Sequence, residues 1–465
     1  DNPMSAATPS EDAFELSAFG KRSNTGMTPY LVKFFQALSD TWGPENPDGV
    51  VVAAVAENRL NFGPLRDKIR SSLELPDSVS QYQDMRGLPE FRAALSETWS
   101  SVVLGGKATV PVDHICVSSG CSALLNGMTL CLCEPGDAVL VPAPYYPGFE
   151  NDCSAFARCV VEPVRMSHPE YELTEDALDA ALERCRAAGR RARMLLFTHP
   201  SNPLGRCLSR SELEVALRWG TKHGLHVISD EVYACSVFGD GATPEAAPFF
   251  SMAHLCRELD LGHDSDAGYV LPRNVHILWG FSKDWGVSGF RVGMLWSAHD
   301  ELRASLGSIG LFMAVSNATQ DALRCVLKDR EFTERYLRDN CHVLHRQARA
   351  MAEALETVGK PHACSAAMFI WTDLRPLLEL RRQAKGPPPG VEAGAPLTFA
   401  DEQAVWAELV DDHRVLLTPG ESCASSLPGF FRVCTAWVPP EAILEMKSRL
   451  AAYKASLETL VAGSK

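Results

Sequence analysis

From about Tyr82 onward the chain alternates short apolar runs with longer segments whose apolar residues recur at helical spacing. The runs at 114–119, 138–143, 158–164, 194–199, 226–231, 276–281 and 293–298 are short, rich in β-branched residues and bounded by Gly or Pro, which predicts strands. Between them, 89–103, 122–133, 174–188 and 209–223 carry the helical period. Thr174 ahead of Glu175 and Asp176, and Ser209 three residues before Glu212, are N-cap signals. Strands alternating with helices predict an α/β fold with a mostly parallel sheet covered on both faces. Residues 299–358 read as strongly helical, and 365–465 as a separate α+β lobe closed by a long helix from about Pro440 to Val461. The Pro/Gly-rich stretch 384–396 reads as a surface loop. The expected division is a large domain over 75–325 and a small domain from 1–74 plus 326–465.

Composition narrows the class of protein. At 465 residues, 46% hydrophobic and 22% charged, the chain has the make-up of a globular protein of two packed domains. A net charge of −14 without a dense Lys/Arg run argues against nucleic acid or an anionic membrane as partner. No apolar stretch approaches the roughly 20 residues of a membrane helix, and the first residues lack the pattern of a secretion signal. The fifteen cysteines are scattered through apolar runs without paired zinc-site spacing, so they read as reduced, mostly buried thiols. These features predict a cytoplasmic location, or an organelle reached with a presequence. His342 and His345 beside Cys341 lack a further ligand, and no metal is expected. The basic stretch 184–193 reads as a solvated helix end, and Trp279 and Trp285 as packing residues.

The segment 280–293, Gly-Phe-Ser-Lys-Asp-Trp-Gly-Val-Ser-Gly-Phe-Arg-Val-Gly, concentrates the candidate chemistry. Lys283 directly follows an apolar strand, where desolvation would lower its pKa and suit it to covalent carbonyl chemistry. Arg291, eight residues on, can grip a phosphate with its planar fork. Alone, a buried lysine near an arginine is more often structural.

The context decides otherwise. This stretch resembles the lysine signature of class I and II aminotransferases, and four further segments match the same family in order. These are Thr198–Gly205 with its Asn-Pro loop, Ser229–Tyr233 with its Asp-x-x-Tyr, the Pro144–Pro147 aromatic turn, and Phe431-Arg432-Val433. The resemblance implies pyridoxal 5'-phosphate (PLP) as cofactor, covalently bound by Lys283, and a PLP-dependent transferase fold like aspartate aminotransferase. It also implies the roles. Asp230 would keep the pyridine nitrogen protonated, Asn202 and Tyr233 would bond the phenolic oxygen, and Tyr146 would stack on the ring. Gly120, Cys121 and Ser122 would offer helix-start amides to the phosphate, with Ser282 and Arg291 beside them. Arg432 would hold the substrate carboxylate.

Within that family the sequence is most similar to 1-aminocyclopropane-1-carboxylate (ACC) synthases. Ala56–Leu60, Gln83–Arg92, Pro144–Glu150 and Pro200–Gly205 carry the likeness. It implies S-adenosylmethionine as substrate, Glu57 near it, and a homodimer in which the region of Met85 reaches the partner's site. Two residues depart from the pattern. Met85 stands where the family has a tyrosine, and Gly280 where the plant enzymes have a phosphate-binding serine. An ordinary aminotransferase therefore stays open as an alternative. A catalytically retired binding protein is a minor alternative, against which stand the intact Lys283 and the acidic residues before Ala56, which carry no basic DNA-binding helix. Glu57 could also simply cap a helix starting near Phe62.

Overall fold

The computed structural model describes residues 15–23, 27, 29–239 and 249–463. Seven strands form the central sheet: β1 (Ile115–Ser118), β2 (Ala138–Ala143), β3 (Val160–Arg165), β4 (Ala192–Thr198), β5 (His226–Asp230), β6 (Val275–Gly280) and β7 (Gly293–Ser297). They are the seven apolar runs of the sequence. Their spatial order is β1-β7-β6-β5-β4-β2-β3. Neighbours from β6 through β3 pair in parallel. Strand β7 alone runs against its neighbours, β6 and β1.

Helices cover the sheet. After β1 comes α1 (Cys121–Leu132), and after β2 the short α2 (Gly148–Ser154). Next are α3 (Glu175–Ala187), capped by Thr174, and α4 (Arg210–Lys222), whose N-terminus has the reciprocal Ser209–Glu212 capping box. β2 and β6 are buried along their whole length, which is why they read as unbroken apolar runs rather than alternating ones.

A second, four-stranded antiparallel sheet has the order β8-β9-β11-β10, with β8 (Lys360–Pro361), β9 (Phe369–Asp373), β10 (Thr418–Pro419) and β11 (Phe430–Cys434). Its apolar core draws on Tyr30 and Val50–Ala54 from the start of the chain as well as Leu344–Leu457. A short parallel pairing of Val51 and Val52 with Val415 and Leu416 ties the two segments.

The 26-residue helix α5 (Arg330–Leu355) joins the two cores. Phe332, Tyr336 and Leu337 pack in the first, and Leu344, Met351 and Leu355 in the second. The closing helix α6 (Pro440–Gly463) lies against α5.

After Lys385 the chain forms an open loop with Gly386, Gly390 and Gly394 at positive φ. Arg381 donates to the carbonyl of Gly386, and Arg382 to those of Ala395 and Pro396, which pins both ends of the loop. All fifteen cysteines are free thiols. Trp279 and Trp285 are fully buried, the first donating to Asp284 at 2.9 Å. His345 stacks on Phe238, and Cys341 donates to the Cys235 carbonyl. No helix among the described residues is long and apolar enough to cross a membrane.

Candidate active site

Parallel strands release their chains at one edge of the sheet, and that edge is where ligands bind in open α/β folds. Here β1, β2, β4, β5 and β6 end at residues 118, 143, 198, 230 and 280. The turns that follow line one cleft of about 170 Å³. It brings together Cys121, Ser122, Tyr146, Asn202, Asp230 and Tyr233 with Ser282, Lys283 and Arg291.

Lys283 follows β6 into the cleft, where its Nζ donates to the carbonyl of Ala56. Burial lowers its amine below the ordinary lysine value, with the charges of Glu57 and Arg432 acting on it in opposite directions. Its peptide is held from behind. Asn340 of α5 donates to the Asp284 carbonyl at 3.1 Å and accepts from Asn58 at 2.8 Å.

Asp230 is buried at the end of β5. Its Oδ2 accepts from Thr198 at 3.4 Å, while Oδ1 has no hydrogen-bond partner among the described residues. Desolvation pushes its carboxyl up to about 7. An unpaired buried carboxylate oxygen is costly, and a protonated pyridine nitrogen is the group that would satisfy it. Beyond it, Asn202 donates to the Tyr233 hydroxyl at 3.5 Å.

At the other end of the cleft Gly120 sits at φ +92°, just before α1. A Cβ there would lie 2.6 Å from the Arg291 guanidinium, so glycine is what lets that fork lie against the helix start. Arg291 donates only to the neutral carbonyls of Ser288 and Ser119, at 3.0 and 3.2 Å. A helix N-terminus beside an arginine without an acidic partner is a phosphate cradle. Tyr146 is half-buried in the wall, and Gly148 makes room for its ring, since a Cβ there would lie 2.3 Å from it. The orphan oxygen of Asp230, the Gly120–Arg291 cradle and the Tyr146 ring thus fit PLP.

Arg432 of β11, fully buried in the four-stranded sheet, lies behind Asn202 of the cleft wall. It donates to Asn202 Oδ1 at 3.1 Å, to the Ala54 carbonyl at 2.7 Å and to Thr418 at 3.2 Å, all neutral oxygens, and its Nε has no partner. Glu57 lies on the loop before the Phe62–Ser72 helix, whose N-cap position is Asn61, so Glu57 is not its cap.

Met85 is elsewhere. Its backbone packs on Gly310, and it lines a separate surface groove with Val315 and Gln320. Gly280 has no room for a side chain, because a Cβ there would lie 2.7 Å from the Val292 carbonyl and 3.2 Å from Cys121 Sγ. Thr198, which bonds Asp230, opens the Asn-Pro segment, whereas Thr418, which bonds Arg432, carries no sequence signal beyond its place on a strand. Asp152 also lines the cleft. It follows Glu150 by two residues on the short α2, and no spacing in the sequence marks it.

The chain belongs to the class I and II aminotransferases, whose family model matches residues 50–450. It is a PLP-dependent enzyme with the fold of aspartate aminotransferase. Among curated proteins it is similar to 1-aminocyclopropane-1-carboxylate synthase 3 of rice, at 35% identity over 88% of each chain. Synthase 9 of Arabidopsis thaliana is 30% identical over 89% of this chain and 85% of its own. Solved structures share the fold at lower identity. Aspartate aminotransferase of Thermus thermophilus with maleate aligns at TM-score 0.73 and 19% identity, over 94% of this chain and 99% of its own. The aromatic aminotransferase of Pyrococcus horikoshii aligns at TM-score 0.70 and 19% identity, over 89% and 97%.

Proposed function

We propose that the protein cleaves S-adenosylmethionine in the manner of the ACC synthases, releasing methylthioadenosine and forming ACC or a closely related γ-elimination or replacement product. The reading is carried by Glu57, a carboxylate whose charge reaches the Lys283 amine, in a chain 35% identical to a rice ACC synthase. An acid there suits a cationic sulfonium or ammonium substrate.

Bound PLP supplies an electron sink for negative charge at the substrate's Cα. The chain's own residues do the rest. Lys283, kept basic but easily neutralised by burial, takes the Cα proton. Arg432 holds the α-carboxylate with a fork already oriented by Asn202 and Thr418. Asp230 would hold the proton of the ring nitrogen, and Asn202 and Tyr233 would bond the phenolic oxygen. Gly120, Cys121, Ser122, Ser282 and Arg291 would hold the phosphate, and Tyr146 would keep the ring flat.

Gly280 favours a second reading, amino transfer to a 2-oxoacid. The serine of the plant ACC synthases cannot be built at 280 without moving the Val292 carbonyl. The same lysine and arginine would serve that reaction. A homodimer completes the proposal. Met85 lies outside its own chain's cleft, and Tyr82, Leu311 and Phe312 beside its groove are 89%, 58% and 85% exposed.

Mass spectrometry of PLP-loaded protein with S-adenosylmethionine, beside Lys283→Ala, tests the reading. Methylthioadenosine with ACC, only with the intact lysine, is the expected result. Untouched S-adenosylmethionine with interconverting amino acid and 2-oxoacid would instead establish the aminotransferase.

A further inference from the structure

The cleft holds a second carboxyl, and the family signature assigns it nothing. Asp152 lies on α2 and lines the same cleft as Lys283, Asp230 and Arg291. Its Oδ2 accepts from Ser122 Oγ at 3.0 Å, and its main-chain carbonyl accepts from Asn126 at 3.1 Å. Both partners belong to α1, so the acid is fixed against the helix whose N-terminus forms the phosphate cradle. It draws no hydrogen bond from Arg291, which is engaged with the carbonyls of Ser288 and Ser119.

An acid at this place is unexpected. A phosphate brings negative charge to the same end of the cleft, and two neighbouring anions cannot both stay ionised without cost. The groups facing Asp152 come from every element around it. Arg291 precedes β7, Asp230 ends β5, Tyr146 follows β2, and Cys121 and Ser122 begin α1. Of these Arg291 alone brings positive charge, and it is the residue that the phosphate itself would engage.

We propose that Asp152 is a cofactor-positioning acid: it takes a proton from solvent as the PLP phosphate enters, so that the Asp152–Ser122 pair meets the anion with a hydrogen-bond donor instead of a negative charge. The carboxyl is already prepared for this. Burial raises it to about 6, against the Ser122 bond and the Arg291 charge. The phosphate's charge pushes it further the same way. The pair thereby takes the place of the hydroxyl that Gly280 cannot supply. The inference requires only that PLP binds, and it holds whichever amino acid the enzyme uses.

Calorimetry of PLP binding to apoprotein, in buffers of different ionisation enthalpy, counts the protons taken up. The wild type should take up close to one more proton per site than Asp152→Asn, which donates without titrating and can keep its Ser122 contact. Relative to that variant, wild-type affinity should weaken by about tenfold for each pH unit above about 6, until the proton is no longer taken up. Absorbance of bound PLP verifies loading in both proteins. Equal proton counts and parallel affinity curves would overturn the proposal.

A measurement on the unsubstituted protein is independent of how the variant folds. At about pH 8 both cleft aspartates of the apoprotein are mainly carboxylates. Infrared difference spectra of protein with ¹³C-labelled aspartate should then gain a protonated-carboxyl band when PLP is added. Absence of that band refutes the proton uptake.

Discussion

At Arg432 the energetics of a buried charge bear on the proposed substrate contact. The guanidinium is sealed from water yet bonded only to neutral oxygens, with its Nε unpaired. A buried charge of this kind is costly without an anionic partner, and a substrate carboxylate would supply one. Arg432→Lys keeps the charge but loses the fork. It should lower kcat/KM by about one to two orders of magnitude, the value of a charge-assisted hydrogen bond, with PLP absorbance unchanged. The arginine, Lys283 and Asp230 were legible in the sequence because each sits in a motif with fixed neighbours. Asp152 was not, because its meaning comes from Ser122, thirty residues away and brought near by folding. Met85 was readable as a departure from the family, but its place is a surface groove of its own chain.

Among the elements, strands were the most readable, since a fully buried parallel strand must be a short apolar run. The direction of β7 was not readable, because burial dictates its composition whichever way it points. Helix α4 shows how a cap can also serve the site. Glu212 at its start receives both arms of Arg206 at 2.8 Å, and the amides of Ser209 and Leu173 at 2.8 and 3.1 Å. Arg206 ends the Asn-Pro loop that holds Asn202. Glu212→Ala leaves that arginine without its acid and should cost about 3–5 kcal/mol in denaturant unfolding. It should also raise KM as the loop loosens.

At the opposite end of the sheet, His226 shares a hydrogen bond with His276 at 3.0 Å. Burial, then the nearby charges of Arg193, His299 and Arg273, depress His226 from 6.5 to about 4. The unfolded chain therefore binds a proton that the fold refuses. Stability from this group is complete above 6.5 and falls as pH drops toward about 4. The stability difference between wild type and His226→Gln should slope only within that window, in chemical denaturation followed by circular dichroism. A flat difference would mean the histidine titrates normally.

On the scale of the whole molecule, α5 makes two cores into one unit. It contributes side chains to both, and its Asn340 bonds the main chain next to Lys283 and the Asn58 side chain. Far-UV circular dichroism and tryptophan fluorescence should therefore follow coincident unfolding curves in the PLP-loaded protein. Two separated transitions would show that the lobes melt independently. Tyr30 and Val50–Ala54 pack in the second core with residues far along the chain, a long-range contact that periodicity alone does not encode.

The loop after Lys385 has a practical side. Its two ends are tied by Arg381 and Arg382, and its three glycines face open space. A foreign segment spliced at Gly390 would hang from a closed collar instead of prying helices apart. The enzyme could then carry a fluorescent reporter or an affinity handle in mid-chain, leaving both chain ends native and the lysine undisturbed.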